Sequence, residues 1–182
     1  MDEKLQIRKV LKGDHSAFGY FVDTYQDMAV TIAYRVCGNM QDAEDIVQDS
    51  FVKAFHNLHT FKSDSKFSTW FYRIVYNTAI TEIRSASHNV QYVDYEQMGL
   101  ADSYADFDTL GQIEEDEKKE LLNMALEKMP RDESLILTFF YLEENSVKDI
   151  TKITGLTESN IKVKLHRARK RMYELMTELM KR

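Results

Sequence analysis

Apolar residues recur along this chain at spacings of three and four, the period of a helix with one buried face, and almost nowhere at the alternation of a strand. The spacing predicts a first helix over roughly Glu3–Lys12, stopped at Gly13, and an aromatic-rich second one from about His15 to Val36, ended by Gly38 and Asn39. A third, about Gln41–Leu58, has Asn39 as its expected N-cap and an acidic first turn (Asp42, Glu44, Asp45) that suits the helix dipole. Its apolar stripe is Ile46, Val47, Phe51, Ala54, Phe55 and Leu58. The polar stretch FKSDSK interrupts the pattern. Ser65 is then the expected cap of a fourth helix, Phe67 to about Ser85, with Phe67, Phe71, Ile74 and Thr78 facing inward.

From Asn89 to about Ile113 the period fades, and the stretch reads as a linker in which Tyr92, Tyr95, Tyr104 and Phe107 are candidates for docking into a groove. Helical pattern resumes near Glu114 with Leu121, Leu122, Ala125, Leu126 and Met129, and Pro130 marks the next boundary. Two short-range signals follow in close order. SVKDITKITG predicts a helix capped by Ser146, with Asp149 at its third position, and ended by Gly155. Thr157 caps the next helix, with Asn160 at the third position and Leu156 and Ile161 placed as a hydrophobic staple. Along that last helix Ile161, Leu165, Ala168, Met172, Leu175 and Leu179 lie near one line. Ser159, Val163, His166, Arg167 and Lys170 fall opposite, with Lys162, Lys164, Arg169 and Arg171 on the flanks.

Composition fits this reading: 182 residues, 43% hydrophobic, one Pro and six Gly. The fold class expected is all-α, two small helical domains joined by a flexible linker, the C-terminal one a helix-turn-helix. The expected bounds are 1–90, an acidic linker over 91–120, and 121–182. Charge changes the picture more. The chain carries net −6, yet residues 91–120 hold ten acidic against two basic side chains, while residues 160–182 hold eight basic against two acidic. Because screening confines charge effects to about 10 Å, the terminal helix can attract phosphate although the whole molecule is acidic. The single cysteine, Cys37, excludes an internal disulfide and a Cys-based zinc site; its apolar neighbours predict a buried, inert thiol and suit a reducing cytoplasm. The longest apolar patch, LILTFFYL, falls far short of the ~20 residues of a membrane span, so the chain is expected to be cytoplasmic and not itself membrane-embedded.

A basic outward helix that starts with short polar side chains after a tight glycine turn matches a recognition helix for the major groove. The candidate DNA-facing set is Ser159, Asn160, Lys162, Val163, His166, Arg167, Arg169 and Lys170. Ser159, Lys162, Val163 and His166, in the first two turns, are placed for base edges; Arg167, Arg169, Lys170 and Arg171, further along, for phosphates. A solvated charged hairpin is the alternative, but caps, turn and local charge occur together. Trp70, Phe71, Tyr72 and Tyr76 lie beside Lys62, Lys66, Arg73 and Arg84, a mixture that suits stacking of unpaired bases as well as it suits an aromatic core with surface cations. His56 and His59 have a metal-ligand spacing without a third ligand nearby, and read as a solvated, cap-adjacent pair. The Asp42–Asp49 carboxylates are explained by the helix dipole, no nucleophile accompanies them, and neither a catalytic residue nor a cofactor site is expected.

Two segments together resemble the extracytoplasmic-function sigma factors of bacterial RNA polymerase. DAEDIVQDSFVKAFHNLHTFKSDSKFSTWFYRIVYNTA is similar to the second conserved sigma region, and MPRDESLILTFFYLEENSVKDITKITGLTESNIKVKLHRARKRM to the fourth. The resemblance implies a subunit without catalytic activity whose partners are core RNA polymerase, promoter DNA and a cognate anti-sigma factor, often membrane-associated. It implies polymerase contacts at Asp42, Asp45, Gln48, Asp49 and Phe51. Capture of the melted minus-ten element would fall to Phe61, Lys62, Ser63, Asp64, Ser65, Lys66, Arg73, Asn77 and Arg84, with Phe61 and Asn77 at the pocket positions and Trp70 mainly packing. The last helix would read the minus-thirty-five element as duplex, and the linker would thread near the polymerase cleft and RNA exit path. The sequence departs from the family in two places: R-G-D-S is common where Lys62-Ser63-Asp64-Ser65 stands, and a basic residue usually follows the aliphatic run that here ends in Thr138-Phe139-Phe140. The competing readings are a free-standing helix-turn-helix transcriptional regulator, normally dimeric on two half-sites, and an all-helical protein-binding adaptor.

Overall fold

The structure, a computed structural model, describes residues 2–86 and 115–180. The linker aromatics Tyr92, Tyr95, Tyr104 and Phe107 lie outside the described residues. The described residues form helices and no strand: α1 (Glu3–Leu11), α2 (Gly19–Cys37), α3 (Met40–Asn57), α4 (Phe67–Ala86), α5 (Glu115–Lys128), α6 (Arg131–Leu137), α7 (Val147–Thr154) and α8 (Glu158–Leu179). The described residues fall into two compact units, one built on α1–α4 and the other on α5, α6 and α8.

In the first unit local chemistry sets each boundary. Asp2 caps α1 by accepting from the Lys4 amide at 3.0 Å, and Gly13 turns the chain at φ 98°. The expected helix from His15 opens instead as a 3₁₀ turn, His15–Phe18, where the Asp14 carboxylate accepts the Ser16 hydroxyl at 2.6 Å. Gly38, at φ 76°, ends α2, and Asn39 caps α3 through the Gln41 amide at 2.9 Å. Cys37 is only half-buried, its thiol 3.2 Å from the Asn39 carbonyl, because this corner lies at the end of α2 and not in the core. Ser65 does not cap α4. Its hydroxyl donates to the Lys66 carbonyl at 3.3 Å, and that carbonyl accepts the Trp70 amide.

Helices α2, α3 and α4 pack mutually around an aromatic core. Phe51 stacks on Phe71 with centroids 4.5 Å apart, and Phe21 lies 4.3 Å from Phe67. Burial of such side chains supplies roughly 1.5–3 kcal/mol each. Phe67, Phe71 and Thr78 are buried as the stripe requires, and Ile74 is half-buried. Tyr72, Val75 and Ala79 are buried as well, because α4 is covered by two helices.

In the second unit α5 begins at Glu115, inside the stretch expected to be linker, so residues 115–120 are helical. Pro130 precedes α6, whose end relaxes into a π turn, Thr138–Leu142. Thr138 is fully buried and donates its hydroxyl back to the Ser134 carbonyl at 2.9 Å, a bond that bends helices. Ser146 caps α7, accepting the Asp149 amide at 3.2 Å and donating to the Asp149 carboxylate at 2.6 Å. Gly155, at φ 75°, makes the turn, and Thr157 caps α8 through the Asn160 amide at 3.2 Å. The buried line of α8 is Ile161, Leu165, Ala168, Met172 and Met176. Leu175 and Leu179 are half-buried, since α5 and α6 both cover α8 and widen its inner face. No helix among the described residues is long and apolar enough to cross a membrane.

Candidate nucleic-acid interface

The outer face of α8 presents Ser159, Lys162 and Lys170 exposed, and Asn160, Val163, His166 and Arg167 half-exposed. The flanks are occupied differently from the expectation. Arg169 lies over an aromatic ledge made by the π turn, its guanidinium 5.3 Å from the Phe140 centroid and 5.6 Å from that of Tyr141, with Nε donating to the Tyr141 hydroxyl at 2.7 Å. In this position its guanidinium packs within the domain. Lys164 pairs with Asp132 at 2.6 Å, and Arg171 Nε lies 2.9 Å from Glu133 Oε2, within ion-pair reach although too far off line for a hydrogen bond. Thr138 is buried at the end of the aliphatic run, and the cation beside that turn comes from α8.

In the first unit the loop after α3 carries Lys62, Ser63, Asp64 and Lys66 exposed and Ser65 half-buried. Ser63 takes φ 59°, a left-handed conformation disfavoured for a residue with a Cβ. Phe61 is half-buried, its ring 5.4 Å from Trp70 and 5.7 Å from Phe67. Beside it, between α3 and α4, opens a depression of about 380 Å³ lined by Lys53, Asn57, Thr60, Trp70, Ile74, Asn77, Thr78 and Thr81. Lys53 is held there by the Thr78 hydroxyl at 3.3 Å and Asp49 at 3.2 Å. On α4 the exposed Arg73, Asn77 and Arg84 share one face at helical spacing. An indole wall, two amides, three hydroxyls and an ammonium can take a base edge and its phosphate.

Trp70, expected mainly to pack, lines this depression as well as touching Phe61 and Phe67. Lys53 and Asn57 are not legible as site residues from the sequence. Their signal is positional: they stand one turn apart beside the α3 stripe, as Asn77 and Thr81 do on α4, and antiparallel neighbours bring such edges together.

The acidic face of α3 presents Asp42, Asp45, Gln48 and Asp49 to solvent, with exposed Val52 among them. Phe51 does not belong to that face. It is 9% exposed and stacked on Phe71, because residue 51 falls on the inner side of α3, across the helix from Asp42 and Asp49. His56 and His59 are exposed, His59 Nδ1 lying 3.0 Å from the His56 carbonyl, and no cluster among the described residues could hold a metal.

Residues 21–89 match the Sigma-70 region 2 family and residues 119–172 the Sigma-70, region 4 family. The ECF RNA polymerase sigma factor SigW of Bacillus subtilis (strain 168) is 32% identical over 183 residues, covering 97% of each chain. The ECF RNA polymerase sigma-E factor of Escherichia coli (strain K12) is 26% identical over 190 residues, covering 100% of this chain and 98% of that one. The fold is similar to that of CnrH in complex with the cytosolic domain of CnrY, with TM-score 0.61, 21% identity and 97% of each chain covered. It is also similar to that of the sigma factor RpoE from Bartonella quintana in complex with the anti-sigma factor NepR, with TM-score 0.61, 24% identity and 88% and 96% of the two chains covered. Two sigma regions in series, matched from end to end by a relative above the identity at which family is secure, leave one assignment: the chain belongs to the ECF sigma factors of bacterial RNA polymerase.

Proposed function

We propose that this chain directs core RNA polymerase to its promoters by dividing the work among three surfaces. The family consists of non-enzymatic initiation factors. The outer face of α3, with Asp42, Asp45, Gln48, Asp49 and Val52, docks on polymerase; α8 reads the minus-thirty-five duplex; the Phe61–Lys66 loop, Arg73, Asn77, Arg84 and the α3–α4 depression take the melted minus-ten strand. The first domain ends near residue 90 and the second begins with α5. The subunit works in the cytoplasm and is held inactive by a cognate anti-sigma factor.

One observation carries the reading: the depression beside Phe61 joins an indole wall to the Asn77 amide and an ammonium in the same domain as the exposed Arg73–Arg84 face. A regulator that only reads duplex needs no such site. Extruding a base costs a few kcal/mol, which stacking at roughly 1–3 kcal/mol per base and hydrogen bonds to an amide can offset.

Promoter-specific run-off transcription with core polymerase, combined with permanganate mapping of unpaired thymines, tests it. Phe61→Ala, Trp70→Ala and Asn77→Ala should keep polymerase binding and lose opening of duplex promoters, and a pre-melted bubble should restore part of the activity. Wild-type opening by all three would refute the assignment of this site. Failure of the unaltered protein to open any promoter would favour the adaptor reading.

A further inference from the structure

Asp132 and Glu133 stand in the first turn of α6, where the positive end of the helix dipole favours carboxylates. The dipole accounts for their presence but not for their direction. Both reach across to α8, Asp132 to Lys164 at 2.6 Å and Glu133 to Arg171 at 2.9 Å, two cations seven residues apart on the same flank of that helix. Each pair has one shielded partner, the Lys164 side chain at 19% exposure and that of Glu133 at 11%, so solvent weakens it less than a fully exposed pair.

We propose that these two carboxylates are internal competitors for DNA phosphate, restraining two of the cations on α8. The inference rests on α8 being the duplex reader. A cation already neutralised releases no counterion when DNA binds, so it adds nothing to the sequence-independent part of affinity. The result is a reader whose attraction to arbitrary duplex stays below what its charge would give, leaving a larger share of discrimination to the side chains at the start of α8.

The test is fluorescence anisotropy of the full-length protein with a random-sequence duplex over a series of NaCl concentrations. Asp132→Asn should steepen the dependence of log K on log salt by about 0.9, the increment for one more phosphate neutralised, and tighten binding about three- to tenfold near 0.1 M salt. Lys164→Gln alone should leave the slope unchanged, yet cancel the effect of Asp132→Asn when the two are combined. Glu133→Gln should act in the same way through Arg171. Should that more buried substitution unfold the domain, the Asp132–Lys164 arm decides alone. A wild-type slope for Asp132→Asn overturns the proposal, as does a Lys164→Gln single variant that flattens the slope. Lys170→Gln separates the two levels: if it flattens the slope while Asp132→Asn does nothing, α8 remains the reader and internal competition falls, and if it too has no effect, α8 is not the reader.

Discussion

Arg169 on α8 donates Nε–H to the Tyr141 hydroxyl at 2.7 Å, across a junction of 28 residues in sequence, and so ties α8 to the π turn that ends α6. The same guanidinium covers the Phe140 ring. Arg169→Ala should therefore act on stability before it acts on DNA. A cation–π contact at a partly exposed site is worth about 0.5–1 kcal/mol, and the hydrogen bond adds a similar amount. Urea denaturation followed in the C-terminal unit should show a loss of about 1–2 kcal/mol, with a salt slope for duplex binding close to that of the unaltered protein. A flattened slope at unchanged stability would return Arg169 to the phosphate ligands.

Ser63 raises a question of sign, because its left-handed φ of 59° is disfavoured while glycine carries a cost of its own. The conformation costs an L-residue roughly 1–2 kcal/mol, and the extra unfolded-state freedom of glycine costs about 0.5–1 kcal/mol. The first is the larger, so Ser63→Gly should stabilise the N-terminal unit by up to about 1 kcal/mol in a urea melt. Ser63→Pro, whose ring fixes φ near −65°, should abolish promoter opening while polymerase binding persists. Open-complex formation by the proline variant at the normal rate would show that the loop does not need this backbone shape.

Gly155 isolates backbone strain from crowding. It turns α7 into α8 at φ 75°, and a Cβ added there meets no atom within 4 Å. Gly155→Ala should cost about 1–2 kcal/mol from the dihedral alone, and Gly155→Asn less, since Asn tolerates this region. Comparing the two by thermal denaturation checks the turn, and equal losses would point to a packing role that the geometry does not show.

The features legible in the sequence are those decided within one turn of helix. Asn39, Ser146 and Thr157 cap their helices as the spacing requires, and Gly38 and Gly155 adopt the turns that only a residue without Cβ enters freely. What stays hidden depends on which helices cross. Nothing near Arg169 announces Tyr141, and nothing near Lys164 announces Asp132, because those pairings span 28 and 32 residues. An indole beside Phe67 and Phe71 reads as core, whereas Trp70 sits at the seam of α3 and α4, with one edge in the core cluster and another in the depression. Phe51 is the opposite case. Its place in the inner stripe of α3 is plain from periodicity, and only the resemblance sets it among the polymerase contacts.

Phe51 points into the core and Asp45 to solvent, about 120° around α3 at 100° per residue, so on the proposed reading one helix carries folding and docking on separate faces. Phe51→Ala removes a ring stacked on Phe71 and leaves a cavity, for which losses of about 3–5 kcal/mol are usual. A small domain has only some 5–15 kcal/mol in total, so this variant should melt well below the parent and lose polymerase binding as a consequence of unfolding. Asp45→Lys changes an exposed side chain, and surface changes of that kind stay within about 0.5 kcal/mol. Its melting temperature should match that of the parent, while its affinity for core polymerase drops and loses salt sensitivity, because a carboxylate that attracted a basic partner now repels it. Circular dichroism melts alongside competition for core polymerase resolve the two cases. If Phe51→Ala kept its melting temperature and lost only polymerase binding, the ring would be a contact residue after all, and the outward assignment of the Asp42–Val52 face would need revision.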